Sequence, residues 1–199
     1  FLPGRREIER MRSEAGLRWG KQVDVQTLYG EMTAAEQDRV LQGRGDRRRV
    51  IIATDIAETS LTIEGVHAVV DSGLARRPTF DPNTGLSRLE TQWISRASAL
   101  QRAGRAGRLA PGWCWRAWTA AREARLAEWT PAEIVDADLA PMALELAAWG
   151  VADPAQLSWL DPPSAAHWQQ AVDLLSQLQA LDGQGRITGL GRRMVRLPM

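Results

Sequence analysis

RVIIATDIAETSLTIEG (residues 49–65) decides the fold. Val50–Ala53 is apolar without alternation, the pattern of a strand covered on both faces. From Thr54 the chain turns to carboxylates and hydroxyls: Asp55, Glu58 and Glu64, with Thr54, Thr59, Ser60 and Thr62. A polar loop at the C-terminal end of a parallel strand is where α/β sheets take their ligands. These side chains suit ribose or phosphate-backbone contacts. They equally suit a surface loop with a helix cap, because Thr and Ser cap helices routinely.

Outward from this stretch, VDVQTLY (23–29), VHAVVD (66–71) and WCWRAW (113–118) also read as strands. Thr33 followed by Glu36 makes a capping box that opens a helix near 34–42. Strands alternating with helices predict an α/β domain with a mainly parallel sheet. One stretch breaks the alternation. RRPTFDPNTGLSRLETQWI (76–94) has two extended arms around Asp81-Pro82-Asn83-Thr84-Gly85, so a β-hairpin at about 77–93 is inserted.

After about residue 119 the strand runs vanish, and Ala, Leu and Trp recur at helical spacing. Leu139, Met142, Leu146 and Trp149 form one stripe; Ala171, Leu174, Leu175, Leu178 and Leu181 form another. Both read as core. Asp182-Gly183-Gln184-Gly185 then turns into Arg186-Ile187-Thr188 as a short wing. The chain therefore divides into an α/β domain over 1–120 and a small, mostly helical, winged-helix-like domain over 121–199, its helices and wing starting from about 130.

With 44% apolar and 25% charged residues, the composition is that of a globular protein and argues against disorder. No apolar run reaches the roughly 18 residues that a membrane span needs. Cys114 is the only cysteine, so no internal disulfide forms, and one Cys with two distant His residues builds no metal site. A reducing, cytoplasmic setting fits. His67 reads as strand packing, at core or edge, and His167 has no partner in view. Trp113, Cys114 and Trp115 read as a packed strand. The net charge of +1 hides an asymmetry: residues 1–118 carry 19 basic against 14 acidic residues, and residues 119–199 carry 6 against 10. Polyanion chemistry belongs to the first part, although the basic run Arg44 to Arg49 also suits a solvated turn.

QRAGRAGR (101–108) sets three arginines and a glutamine in eight positions, with two glycines between them. Ser95 caps a helix predicted to run through 96–108, which puts Gln101, Arg105 and Arg108 on one face. Gly104 and Gly107 each cost such a helix about 1 kcal/mol against Ala. Glycines let a backbone or a ligand approach where a Cβ would collide. One glutamine and two arginines aimed at one spot suit a polyphosphate, where charge develops during transfer. A flexible Arg-Gly segment that binds nucleic acid loosely is the other reading.

Together these stretches resemble the second RecA-like domain of a superfamily 2 helicase of the DEAH-box type. QRAGRAGR (101–108) is similar to motif VI of that family and ATDIAETSLTIEG (53–65) to motif V, with Asp55 where Asn is more common. FLPG (1–4) resembles motif IV, and LYGEM (28–32) the short motif after the next strand. VVDSGLAR (69–76), the hairpin and SRAS (95–98) follow in the family's order. In detail the chain most resembles the bacterial HrpB-type helicases, including ADLAPMALELAAWGVADPAQLSWLDPP (137–163).

The resemblance implies that Gln101, Arg105 and Arg108 face the γ-phosphate of ATP, the arginines as fingers, with Glu64 near the ribose. It implies that Thr59 and Ser60 contact the nucleic-acid backbone or relay the nucleotide state to it, and Thr54 and Gly4 belong to the same nucleic-acid contacts. The hairpin would lie near the point of strand separation, and the winged helix would pack on the motor domains. ATP and Mg²⁺ are the implied cofactors, bound mainly by a preceding RecA-like domain. That domain and single-stranded RNA or DNA are the implied partners, with no membrane involved.

No G-x-x-x-x-G-K-[ST] is present; GLRWGK (16–21) is one residue short and runs into Gln22. No acidic Mg²⁺ box of the D-E-x-H kind appears either. The opening FLPGRREIER, without Met, and the end RLPM predict a piece of a longer chain. The expected activity is therefore ATP-dependent helicase action by the full-length protein, with the piece alone inactive. A non-catalytic nucleic-acid-binding module built on the winged helix is the alternative. It predicts a basic recognition helix, which the acidic balance of 119–199 opposes.

Overall fold

The computed structural model describes residues 1–42, 47–59, 63–81, 84–108 and 110–197. The chain forms two compact units: Phe1–Arg77 with Thr91–Thr130, and Pro78–Glu90 with Pro131–Met199.

In the first unit, helix α1 (Arg5–Trp19) leads into strand β1 (Val23–Leu28), helix α2 (Ala34–Gln42) and strand β2 (Arg48–Ala53). The capping box opens α2 as the sequence predicts. The Thr33 amide donates to Glu36 Oε2 at 2.9 Å, and the Glu36 amide returns a bond to Thr33 Oγ1 at 3.4 Å. The Thr33 hydroxyl and amide hold the Glu36 carboxyl below its ordinary range. β1 and β2 pair in parallel, Leu28 opposite Ala53. Strand β3 (Ala68–Asp71) pairs in parallel with β6 (Trp113–Arg116).

The sheet is mainly parallel, as expected, but it is built from two pairs. Phe1 and Leu2 join them: the Leu2 amide donates to the Ala53 carbonyl at 2.8 Å, and the Ser72 amide donates to the Phe1 carbonyl at 3.2 Å. Leu28, Val40, Ala53 and Ala57 form the core beneath β1 and β2. A second cluster of Ala75, Ile94 and Ala99 takes in Trp118 at its edge.

The inserted hairpin is present, as β4 (Leu74–Asp81) and β5 (Leu86–Trp93). Gly85 at its turn has φ +66°, a conformation that favours glycine; Pro82 and Asn83 lie outside the described residues. Residues Pro78 to Glu90 of the hairpin belong to the second unit. There the Phe80 amide donates to the Asp136 carbonyl at 3.1 Å, and the Phe80 ring meets His167 edge-on at 6.5 Å.

The second unit packs helix α6 (Ala140–Ala148) on α7 (Ala165–Gln177) and α8 (Gly189–Met194). The core takes the stripe Ala140, Ala143, Leu144 and Ala147 with Leu139, Ala171, Leu175 and Leu181. Trp149, expected to share a core stripe with Leu139, Met142 and Leu146, is 76% exposed, and Leu174 and Leu178, expected in the second stripe, are also exposed. α6 presents its small alanines inward so that the helices approach closely. The wing forms as a single antiparallel bridge, Leu181 to Ile187, closed by Asp182. Asp182 Oδ1 accepts from the Arg186 and Gln184 amides at 2.9 and 2.8 Å, and those bonds hold its carboxyl below the usual carboxylate range.

Candidate functional site

Helix α4 (Arg96–Gly104) begins where the sequence places it. Ser95 Oγ accepts from the Ser98 amide at 3.1 Å and lies 3.0 Å from Thr130 Oγ1. The helix ends at Gly104 and does not run through 108; Arg105–Gly107 form a turn. Two glycines spaced three apart remove the stabilisation that would carry the last turn onward. Gln101 is exposed and still helical, whereas Arg105 and Arg108 are placed by the turn.

That turn is fixed from behind. A Cβ at Gly112 would lie 2.1 Å from the Ala106 carbonyl oxygen, so glycine alone permits the start of β6 to cross there. Ala106 is 1% exposed.

Arg102 is the residue that the sequence reading missed. It is completely buried. Its Nε donates to Glu58 Oε2 at 2.9 Å, and its Nη1 donates to Asp71 Oδ1 at 3.0 Å and to the Leu74 carbonyl at 3.2 Å. The guanidinium also stacks over the Phe1 ring, 4.9 Å from its centroid. Asp71 is fully buried and accepts from the Gly73 amide at 2.9 Å through the same Oδ1. A signal for Arg102 exists in the sequence: Ala99, Arg102 and Ala106 share one α-helical face, and that face is otherwise apolar.

Glu58 belongs to the short helix α3 (Ile56–Thr59) that follows β2. The sequence offers it for ribose or phosphate contacts, but its carboxylate is taken by Arg102 and by the Ser98 hydroxyl, which donates at 2.6 Å. The Glu58 carbonyl is taken as well: Arg105 donates to it from Nε at 2.8 Å and from Nη2.

The other expected residues fall as follows. Glu64, Arg105 and Arg108 line one open groove of about 1480 Å³ in the first unit, over a floor that includes Val50, Ile52 and Ala68. Glu64 is exposed at the side chain, and its carbonyl accepts from Arg49 Nη2 at 3.0 Å. Burial first, and the neighbouring Arg108 charge second, lower the proton affinity of Arg105, with Glu58 opposing. Thr54 is half-buried and its amide donates to the Leu28 carbonyl at 3.0 Å; Thr59 is exposed. Ser60 and Thr62 lie outside the described residues, as do Arg44 to Asp46. Gly4 is buried as the N-cap of α1, where a Cβ would sit 2.8 Å from Arg76 Nη1.

His67 stands exposed just before β3, an edge position. Trp113 and Trp115 are 59% and 65% exposed, so β6 packs only through its other face. Among the described residues no group of three or more His, Cys, Asp or Glu is placed to hold a metal ion. No helix among them is long and apolar enough to cross a membrane.

A parallel α/β unit that gathers arginines beside the loop after a buried strand, with a helical unit ending in a small wing, is the architecture of a RecA-like motor domain joined to a winged helix. The comparisons agree. Residues 1–110 match the helicase conserved C-terminal domain, and residues 171–199 match the winged-helix helicase associated domain (HA2). The chain is 44% identical over 198 residues, 99% of its length, to the ATP-dependent RNA helicase HrpB of Escherichia coli (strain K12). It spans only 24% of that protein. The crystal structure of E. coli DExH-box NTPase HrpB matches with a TM-score of 0.89 at 43% identity, over 98% of this chain and 24% of that one. A second crystal structure, of the Escherichia coli DEAH/RHA helicase HrpB, matches with a TM-score of 0.92 at 43% identity, over 98% and 25%. This chain belongs to the DEAH-box superfamily 2 helicases of the HrpB type, as a second RecA-like domain with its winged helix.

Proposed function

We propose that this chain is the C-terminal motor half of an ATP-dependent helicase acting on RNA in the cytoplasm. Residues 1–120 serve as the motor domain and 121–199 as the winged helix. The observation that carries the reading is the shared groove: Glu64, Arg105 and Arg108 line it together, with two arginine charges close enough for one to depress the other. Like charges held together favour a polyanion between them.

The residues fit a nucleoside triphosphate. Bound ATP with its Mg²⁺, held mainly by a preceding RecA-like domain that carries the Walker motifs, supplies a γ-phosphoryl group for transfer to water. Arg105 and Arg108 serve as fingers, placing donors where negative charge grows in the transition state. Gln101 faces the same phosphate, and the Glu64 carboxylate accepts from a ribose hydroxyl. A Cβ at Gly104 or Gly107 would meet nothing within 4 Å, and neither has a positive φ. No contact among the described residues requires glycine at either place, which leaves both open to the phosphates or the facing domain.

Thr54, Thr59, Ser60 and Gly4 serve the nucleic acid through its backbone, so little sequence preference follows. For buried Gly4 the contribution is its backbone. The test is the ATPase rate of the full-length parent with and without single-stranded RNA, wild type beside Arg105→Ala and Arg108→Ala. Loss of a finger lowers the stimulated rate by about 10³ to 10⁵. An unstimulated rate, or one blind to both substitutions, overturns the reading.

A further inference from the structure

Glu58 is gripped at both of its ends by α4 and the turn behind it. Its carboxylate takes Arg102 Nε at 2.9 Å and the Ser98 hydroxyl at 2.6 Å. Its backbone carbonyl takes Arg105 through Nε at 2.8 Å and through Nη2. The carboxylate side is nearly dry: the Glu58 side chain is 13% exposed and Arg102 is 0%. An ion pair in that setting, with its accepting oxygen also held by the Ser98 hydroxyl, resists shearing. Arg102 is in turn fixed to Asp71 at the end of β3. The loop after β2 is thus clamped to the body of the unit through one carboxylate, and the same residue presents the carbonyl on which Arg105 rests.

We propose that Glu58 is a positioning residue that couples the nucleic-acid loop to Arg105. This rests on the reading of Arg105 as a finger and of Thr59 as a backbone contact. Thr59 follows Glu58 directly in α3. A pull on Thr59 cannot move the Glu58 carbonyl without loading the carboxylate clamp. With the clamp intact, displacement of the loop becomes a change in where the Glu58 carbonyl lies, and so in how tightly Arg105 is held back from a phosphate. With the clamp loosened, α3 yields locally, and the arginine no longer senses the strand. Arg105 must exchange the carbonyl for a phosphate oxygen, and two donors to one neutral acceptor make that exchange favourable once an anion arrives.

The experiment uses the full-length parent and a single-stranded oligouridine as probe. The readout is the ratio of RNA-stimulated to unstimulated kcat, which is independent of the fraction of active protein. In Glu58→Gln the carboxamide keeps the shape, and one oxygen can still take both donors, but the charge facing Arg102 is lost. The expected result is a ratio reduced at least about fivefold, a coupling in the range typical of linked sites, with oligouridine Kd within about twofold of wild type. Ser98→Ala removes one donor to the same carboxylate and leaves both ion pairs, so it is the second variant; its ratio should fall in the same direction.

Folded Glu58→Gln and Ser98→Ala variants that both keep wild-type ratios overturn the proposal. A merely structural role lowers Tm and active fraction and leaves the ratio alone. The two readings fail separately. An Arg105→Ala enzyme with full activity removes the finger, whereas a dead Arg105→Ala enzyme beside a Glu58→Gln enzyme with normal stimulation removes only the coupling.

Discussion

Arg102 and its neighbour Gln101 show how differently two adjacent residues of one motif can be spent. Gln101 is exposed, while Arg102 is completely buried between Glu58 and Asp71. Taking a guanidinium out of water costs several kcal/mol, which these two carboxylates, a carbonyl and the Phe1 ring offset. Removing one partner of such an arrangement leaves the others buried and unpaired. Arg102→Ala should therefore cost about 3–5 kcal/mol in urea unfolding of the chain. Arg102→Lys should recover only part of that, because an ammonium cannot send one arm to Glu58 and another to Asp71 and Leu74 as the planar fork does. A midpoint for Arg102→Ala equal to wild type would deny this residue its structural role. QRAGRAGR declares four polar side chains but not which of them points inward. Only the partners decide that, and Asp71 lies 31 residues away in the chain.

At the scale of an element, α4 carries the site and its end sets the geometry. Ser95 as its cap was legible, because a Ser before an Ala-rich stretch satisfies a free amide at low cost. The strands and the hairpin were legible for a similar reason: apolar runs and a Pro–Gly turn act through neighbouring residues. The helix end was not, since a 100° rotation per residue assumes that the helix continues. Gly104 tests what the glycines are for. It is the last residue of α4, without positive φ, and a Cβ there would meet open space. Gly104→Ala should leave the chain as stable or up to about 1 kcal/mol more stable, since alanine restricts the unfolded state and favours helix. In the full-length parent the same substitution should lower RNA-stimulated ATPase. A variant both more stable and fully active would show that nothing approaches α4 at that point.

The whole chain divides its labour by charge and by what its motifs supply. The 19 basic residues against 14 acidic ones in residues 1–118 include all of the expected phosphate contacts, and the acidic balance beyond 119 suits packing rather than polyanion binding. Sequence shows this division at once, because charge sums need no geometry. It shows equally that the chain carries the arginines of QRAGRAGR but no phosphate loop, GLRWGK (16–21) being one residue short. An arginine finger stabilises charge that develops on a phosphate already bound and oriented elsewhere, and by itself binds nucleotide weakly. The chain purified alone should therefore show no ATP turnover above buffer, with or without single-stranded RNA, in a phosphate-release assay. The full-length parent should turn over under the same conditions. Turnover by the isolated chain that survives Arg105→Ala would mean that a nucleotide is held and cleaved by groups other than those of the groove, and the division of the motor into two contributing halves would have to be abandoned.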